Sequence, residues 1–182
     1  MRITGGRLGR RIIDGPPAKD DRVRPTTDRV REALFSILGS RILLSDATVV
    51  DLFAGTGALG LEALSRGARH ATFVDAHAPT LSLARKNART LGVDAHCTFL
   101  RADALAFLGR APQAPRPDLI FADPPYALDA IPELPPLARA HLAPEGLFVL
   151  EHDARHDFAD DPSLVLSRDY GSTRISVFEA DA

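Results

Sequence analysis

Val49-Val-Asp-Leu-Phe-Ala-Gly-Thr-Gly-Ala-Leu-Gly60 reads as a buried strand that runs into a glycine turn and then opens a helix. Gly55, Gly57 and Gly60 have the G-x-G-x-x-G spacing of a nucleotide-binding turn, and Asp75 ends the next apolar run 18 residues after Gly57. Such a turn brings backbone N–H groups close to a ligand at the amino end of a helix. The spacing fits either a dinucleotide or S-adenosylmethionine, and the rest of the chain has to decide between them.

Beyond this turn the pattern is regular. Ala47 to Phe53, Ala71 to Asp75, Thr98 to Arg101, Asp118 to Ala122 and Gly146 to Glu151 read as strands. Between them, Leu59 to Ser65, Thr80 to Leu91, Asp103 to Leu108 and Ile131 to His141 read as helices. Strict alternation predicts a parallel sheet with helices on both faces. The rhythm then changes. Only Ser167 to Ser172 separates Ser163 to Leu166 from Thr173 to Phe178, too few residues for a crossover helix, so these two strands are expected to pair as an antiparallel hairpin. The expected fold class is α/β, a mostly parallel, seven-stranded, Rossmann-like sheet ending in an antiparallel hairpin.

On the amino side, residues 1 to 24 show Gly-Gly and Gly punctuation without a long apolar period, which predicts a small basic arm or hairpin ahead of one domain spanning 25 to 182. Arg24-Pro-Thr-Thr-Asp28 then starts a helix, with hydroxyl or Asp candidates for its cap. Val30, Ala33, Leu34, Ile37 and Leu38 form its apolar stripe, and Arg29 and Arg31 are expected to point away from it. Residues 1 to 31 carry nine basic and four acidic groups, a net of +5; the whole chain is −2, so the remainder is −7. The basic end has the character of a polyanion contact, in which Arg2, Arg7, Arg10 and Arg11 could each neutralise a phosphate.

At 182 residues, with 25% charged and 45% apolar residues, the chain is the size and composition of one globular core. No run approaches the ~18 apolar residues of a membrane span, and Met1-Arg-Ile-Thr-Gly-Gly lacks a hydrophobic signal segment, so a cytoplasmic location without a membrane is expected. The single Cys97 excludes an internal disulfide and lies in an apolar run, where it reads as a small buried filler.

Asp118-Leu-Ile-Phe-Ala-Asp-Pro-Pro-Tyr126 carries the second motif. The strand must stop at Asp123, because neither Pro124 nor Pro125 can donate a ladder hydrogen bond and each restricts the residue before it. This leaves a carboxylate, a carbonyl and an aromatic ring at the carboxyl end of a strand, the edge where open α/β sheets bind ligands. Asp123 and the Pro124 carbonyl are acceptors, and Tyr126 offers a stacking face, so the corner suits a planar group bearing an NH2. A nucleobase amine is a poor nucleophile because its lone pair is delocalised. Two acceptors holding its hydrogens favour the geometry in which that pair attacks. A rigid turn around a buried tyrosine would use the same four residues.

Three features favour S-adenosylmethionine over a dinucleotide. Asp51 can meet a cationic amino-acid headgroup but would repel a pyrophosphate, the sheet ends in a hairpin, and hydride transfer has no use for Asp-Pro-Pro-Tyr. With Arg24-Pro-Thr-Thr-Asp-Arg-Val-Arg31 before the glycine turn and Tyr170-Gly-Ser-Thr173 after it, nearly the whole chain resembles the RsmD family of bacterial 16S rRNA guanine-N2 methyltransferases. The resemblance implies a class I S-adenosylmethionine-dependent fold. It implies that Asp51, Phe53, Gly55, Thr56 and Gly57 meet the methionine end of that cofactor, Asp75 and Ala76 the ribose, and Asp103 and Ala104 the adenine. Asp75 and Asp103 could instead only cap the helices that follow them. Asp123, Pro124, Pro125 and Tyr126 would hold the extruded guanine. Arg2, Arg7, Arg10, Arg11, Arg24, Thr27, Arg29 and Arg31 would touch RNA, within a 30S subunit or an assembly intermediate, and the protein is expected to be a monomer.

Two rivals share parts of this pattern. An adenine-N6 DNA methyltransferase uses the same Asp-Pro-Pro-Tyr logic, although 182 residues leave it no target-recognition domain. A noncatalytic RNA-binding assembly factor could retain the cofactor fold. His152-Asp-Ala-Arg-His156 has the spacing of a zinc helix but follows a strand directly and has no evident third ligand, so no metal is expected.

Overall fold

The computed structural model describes residues 1–15 and 27–181. Arg24, with Lys19, Arg22, Pro25 and Thr26, lies outside the described residues, as does the arm boundary expected at residue 24. Seven strands form one sheet: β1 Thr48–Leu52, β2 His70–Asp75, β3 Cys97–Arg101, β4 Leu119–Ala122, β5 Leu147–His152, β6 Leu164–Tyr170 and β7 Thr173–Glu179. Their order is β3-β2-β1-β4-β5-β7-β6, with only β7 antiparallel to its neighbours.

Helices α1 Asp28–Leu38, α2 Ala58–Ser65 and α3 Ala78–Leu91 pack on one face; α4 Ala104–Leu108 and α5 Leu134–His141 pack on the other. The central strands supply both layers by alternation: Val49, Phe121 and Val149 face the first, Val50, Ile120 and Phe148 the second. Phe35 of α1 meets Phe121 with ring centroids 5.6 Å apart.

Three expectations shift. The helix expected from Ile131 begins as a 3-10 turn, Ile131–Glu133, before α5. The hairpin loop shrinks to Gly171-Ser172, because β6 runs on to Tyr170. Ser167, Arg168 and Asp169 are polar since β6 is an edge strand with exposed residues, and that polarity resembles a loop in sequence. The buried face of α1 is Arg31, Leu34, Phe35 and Leu38, so the helix is turned by one position from the expected stripe. Arg31 is therefore not available to RNA. It is fully buried, paired with Asp28 at 2.7 Å and Glu62 at 3.5 Å, and donates to the carbonyl of Arg2.

Residues 1–15 fold back on themselves, with Ile3 N–H donating to Arg11 O and Ile13 N–H to Met1 O. Ile3, Leu8 and Ile13 are buried against α2 and α3. The anchor is Glu62 of α2, whose buried carboxylate accepts from Thr4 N–H at 2.7 Å, Gly5 N–H at 2.8 Å and Arg66 Nε at 2.9 Å. Ser65 adds a bond from Leu8 N–H, and Asn87 of α3 ties Asp14 to the Thr56 carbonyl.

Candidate active site

Three left-handed residues make the turn after β1: Phe53 (φ 55°), Gly55 (φ 53°) and Gly57 (φ 79°). A phenylalanine in that region costs about 1–3 kcal/mol, and such strain marks binding sites more often than plain loops. Gly60 is required by close approach. A Cβ there would lie 2.4 Å from the Phe73 ring, where α2 crosses β2. Its N–H donates to Asp51 Oδ2 at 2.9 Å. Asp51 is buried, and burial pushes its carboxyl up to about 8; the Asp75 charge adds to this while the Gly60 N–H opposes it.

Asp75 Oδ2 accepts from Gly55 N–H at 2.8 Å and Oδ1 from His77 N–H at 2.7 Å, so this carboxylate pins the glycine turn to the end of β2. Each oxygen retains a second acceptor position for a hydroxyl. Asp103 caps α4, accepting from Ala106 N–H at 2.9 Å, and stays exposed. Capping and ligand contact are thus compatible at Asp103; at α3, His77 stands in the N-cap position without a side-chain capping bond, and the Asp75 carboxylate holds its N–H. Ala76 is exposed, Ala104 and Thr56 are buried, and all nine residues expected to hold the cofactor follow or end β1, β2 and β3 on one sheet edge. A buried acid whose only hydrogen-bond donor among the described residues is a backbone N–H, with an acceptor pair one strand away, fits the ammonium and ribose ends of S-adenosylmethionine.

Leu52, the last residue of β1, pairs with Ala122, the last residue of β4. The glycine turn and the Asp123 corner therefore leave the sheet side by side, from strands spaced ~4.8 Å apart. Asp123 and Tyr126 are half-buried, Pro124 is buried and Pro125 exposed. Tyr126 keeps part of its surface exposed. Its hydroxyl lies 2.8 Å from Thr173 Oγ1, and its carbonyl accepts from the Arg155 guanidinium, which also holds Asp153. Sequence reasoning gave no role to Thr173 or Arg155. The signal present was the Tyr170-Gly-Ser-Thr173 stretch, whose position at this edge depends on the short turn.

The basic residues divide between two edges. One group gathers at the start of α1: Thr27 caps it, accepting from Val30 N–H at 3.3 Å, Arg2 pairs with Asp28 at 3.2 Å, and Arg29 is exposed, while Met1, the neighbour of Arg2, has its Sδ 3.7 Å from Thr56 Oγ1 in the glycine turn. Arg7 and Arg10 are exposed on the segment that lies against Ser65 at the far end of α2. Arg11 donates to the Thr90 and Leu91 carbonyls at the end of α3, so its guanidinium is spent on a helix terminus. Of the eight residues expected to touch RNA, the structure brings Arg2, Thr27 and Arg29 together at the start of α1.

His152 is buried with one ring nitrogen 2.9 Å from Ser176 Oγ and the other 2.8 Å from Asp153 O, and burial lowers its pKa. Cys97 is half-buried, its thiol pushed up to about 12 chiefly by burial.

Residues 1–179 match the model of a family described as conserved hypothetical protein 95. Ribosomal RNA small subunit methyltransferase D of Escherichia coli (strain K12) is 36% identical over 165 residues, covering 90% of this chain and 80% of that protein. Among solved structures, a hypothetical protein of Thermus thermophilus is 30% identical with a TM-score of 0.84, covering 99% of both chains. An RNA methyltransferase of Salinibacter ruber, in complex with S-adenosyl-L-homocysteine, shares the fold with a TM-score of 0.66 at 16% identity, covering 86% of this chain and 93% of that one.

Proposed function

From this chain's membership of the RsmD family, which its match over residues 1–179 establishes, we propose that it methylates N2 of a guanine in 16S rRNA with S-adenosylmethionine as donor. The observation that carries this reading is the pairing of Leu52 with Ala122, which sets the glycine turn beside the Asp123 corner. Bound at Asp51, Phe53, Gly55, Thr56, Gly57, Asp75, Ala76, Asp103 and Ala104, the cofactor supplies an electrophilic methyl group. Asp123 and the Pro124 carbonyl hold the hydrogens of the amine and direct its lone pair, Tyr126 stacks on the base, and Asp123 takes up the proton the amine sheds. The substrate is an assembled or partly assembled 30S subunit, and the protein acts as a monomer.

Isotope-labelled methyl transfer tests the class of reaction. Label in rRNA, located by nucleoside mass spectrometry at guanine N2, is the expected result. Label confined to DNA would favour an adenine-N6 enzyme, and RNA binding without label a noncatalytic factor. Asp123→Ala is expected to lose at least about 100-fold in kcat while remaining folded by circular dichroism. Near wild-type turnover would remove Asp123 from the chemistry.

A further inference from the structure

We propose that Thr173, at the turn of the carboxyl-terminal hairpin, is a positioning residue for the Tyr126 ring, and that the hairpin thereby sets the plane on which the target base stacks. The inference rests on the functional reading above and adds to it the element that orients its aromatic face. Tyr126 is half-buried, and it follows two prolines that stiffen the chain leading to it but do not set its own side-chain torsions. Two contacts hold the residue at opposite ends. Arg155, itself tied to Asp153, donates to its carbonyl, and Thr173 Oγ1 lies 2.8 Å from its hydroxyl.

Thr173 owes its position to topology. β7 lies between β5 and β6 and runs antiparallel to β5, so its first residue stands at the sheet edge where β5 ends; His152 of β5 pairs with Arg174. The two-residue turn Gly171-Ser172, with Gly171 at φ 66°, keeps Thr173 paired with Tyr170, so the hydroxyl is presented by a strand and not by a long loop. A phenylalanine at position 126 could stack equally well but would have no partner in Thr173. The tyrosine and the threonine act as a pair.

Most RNA affinity comes from phosphate contacts, whereas in-line attack needs the base plane correct to a fraction of an ångström. Loss of the hydroxyl at position 173 should thus lower kcat more than it raises KM. On undermethylated 30S subunits, Thr173→Val is expected to lose roughly three- to tenfold in kcat, the worth of one hydrogen bond, with KM for subunits and cofactor affinity changed less than about twofold. Thr173→Ser should restore turnover. In a Tyr126→Phe background, Thr173→Val should have no further effect. Unchanged kcat in Thr173→Val, additive losses in the double variant, or a matching loss of cofactor affinity would each overturn the proposal. An activity-independent measurement separates it from the functional reading. The chain has two tyrosines and no tryptophan, so Tyr170→Phe leaves Tyr126 as the only emitter in that part of the spectrum. Its fluorescence anisotropy should gain a fast, large-amplitude decay when Thr173→Val is added. A wild-type protein that methylates no RNA would sink the function while leaving this decay as the measure of the brace; an unchanged decay would sink the brace alone.

Discussion

Asp51 is a carboxyl group withdrawn from water, with a backbone N–H on one oxygen and a second acid nearby. Because burial raises it from 3.8 to about 8, its contribution to stability is fully present at low pH and is lost as pH rises toward 8, at up to ~1.4 kcal/mol per pH unit. A bound ammonium reverses that preference, since it pairs with the ionised form. Cofactor binding at pH 7 is therefore expected to expel close to one proton and to tighten as pH rises toward 8. Calorimetry in buffers of different ionisation enthalpy counts the proton. Asp51→Asn should release none and bind with a flat pH profile, and a wild type that releases none would place the headgroup away from Asp51.

At the scale of elements, the buried ion network of α1 and α2 shows what a pattern of apolar residues can and cannot reveal. The strands were legible to within a residue or two at most ends, because buried parallel strands are continuous apolar runs and Gly or Pro marks their limits. The face of α1 was not. An apolar stripe cannot count Arg31 as core; its burial depends on Asp28 one turn earlier together with Glu62, which approaches from a helix some thirty residues away. The same holds for the site: Asp51, Asp75 and Asp123 could be named from strand ends, whereas Thr173 needed the register of β7. Glu62 also receives the amino-terminal segment, so Glu62→Ala should deprive a buried guanidinium of one of its two carboxylates and destabilise the protein by about 3–5 kcal/mol in urea titrations. Replacing both partners, with Glu62→Leu and Arg31→Met, should recover much of that loss. A single variant within ~1 kcal/mol of wild type would mean that Asp28 alone satisfies Arg31.

Across the whole molecule, the basic residues described in the amino-terminal part divide between the start of α1 and the end of α2. Arg29 and the Arg2–Asp28 pair sit at the start of α1, which Met1 links to the glycine turn, while Arg7 and Arg10 lie on the segment held where α2 ends. Charges near opposite ends of α2, whose eight residues span ~12 Å, act largely independently, because screening confines each to roughly 8–10 Å in physiological salt. They can serve a folded particle that meets the protein over a broad surface. Binding to a short RNA hairpin carrying the target base should therefore be weakened by Arg29→Ala and left unchanged by Arg7→Ala with Arg10→Ala. Binding to intact 30S subunits should respond to all three substitutions, with the salt slope falling by about one for each phosphate contact removed. Cofactor affinity should be constant throughout. If the Arg7 and Arg10 pair weakened hairpin binding as much as subunit binding, the RNA would reach the far edge by itself, and the proposal of an assembled particle as substrate would lose its physical basis.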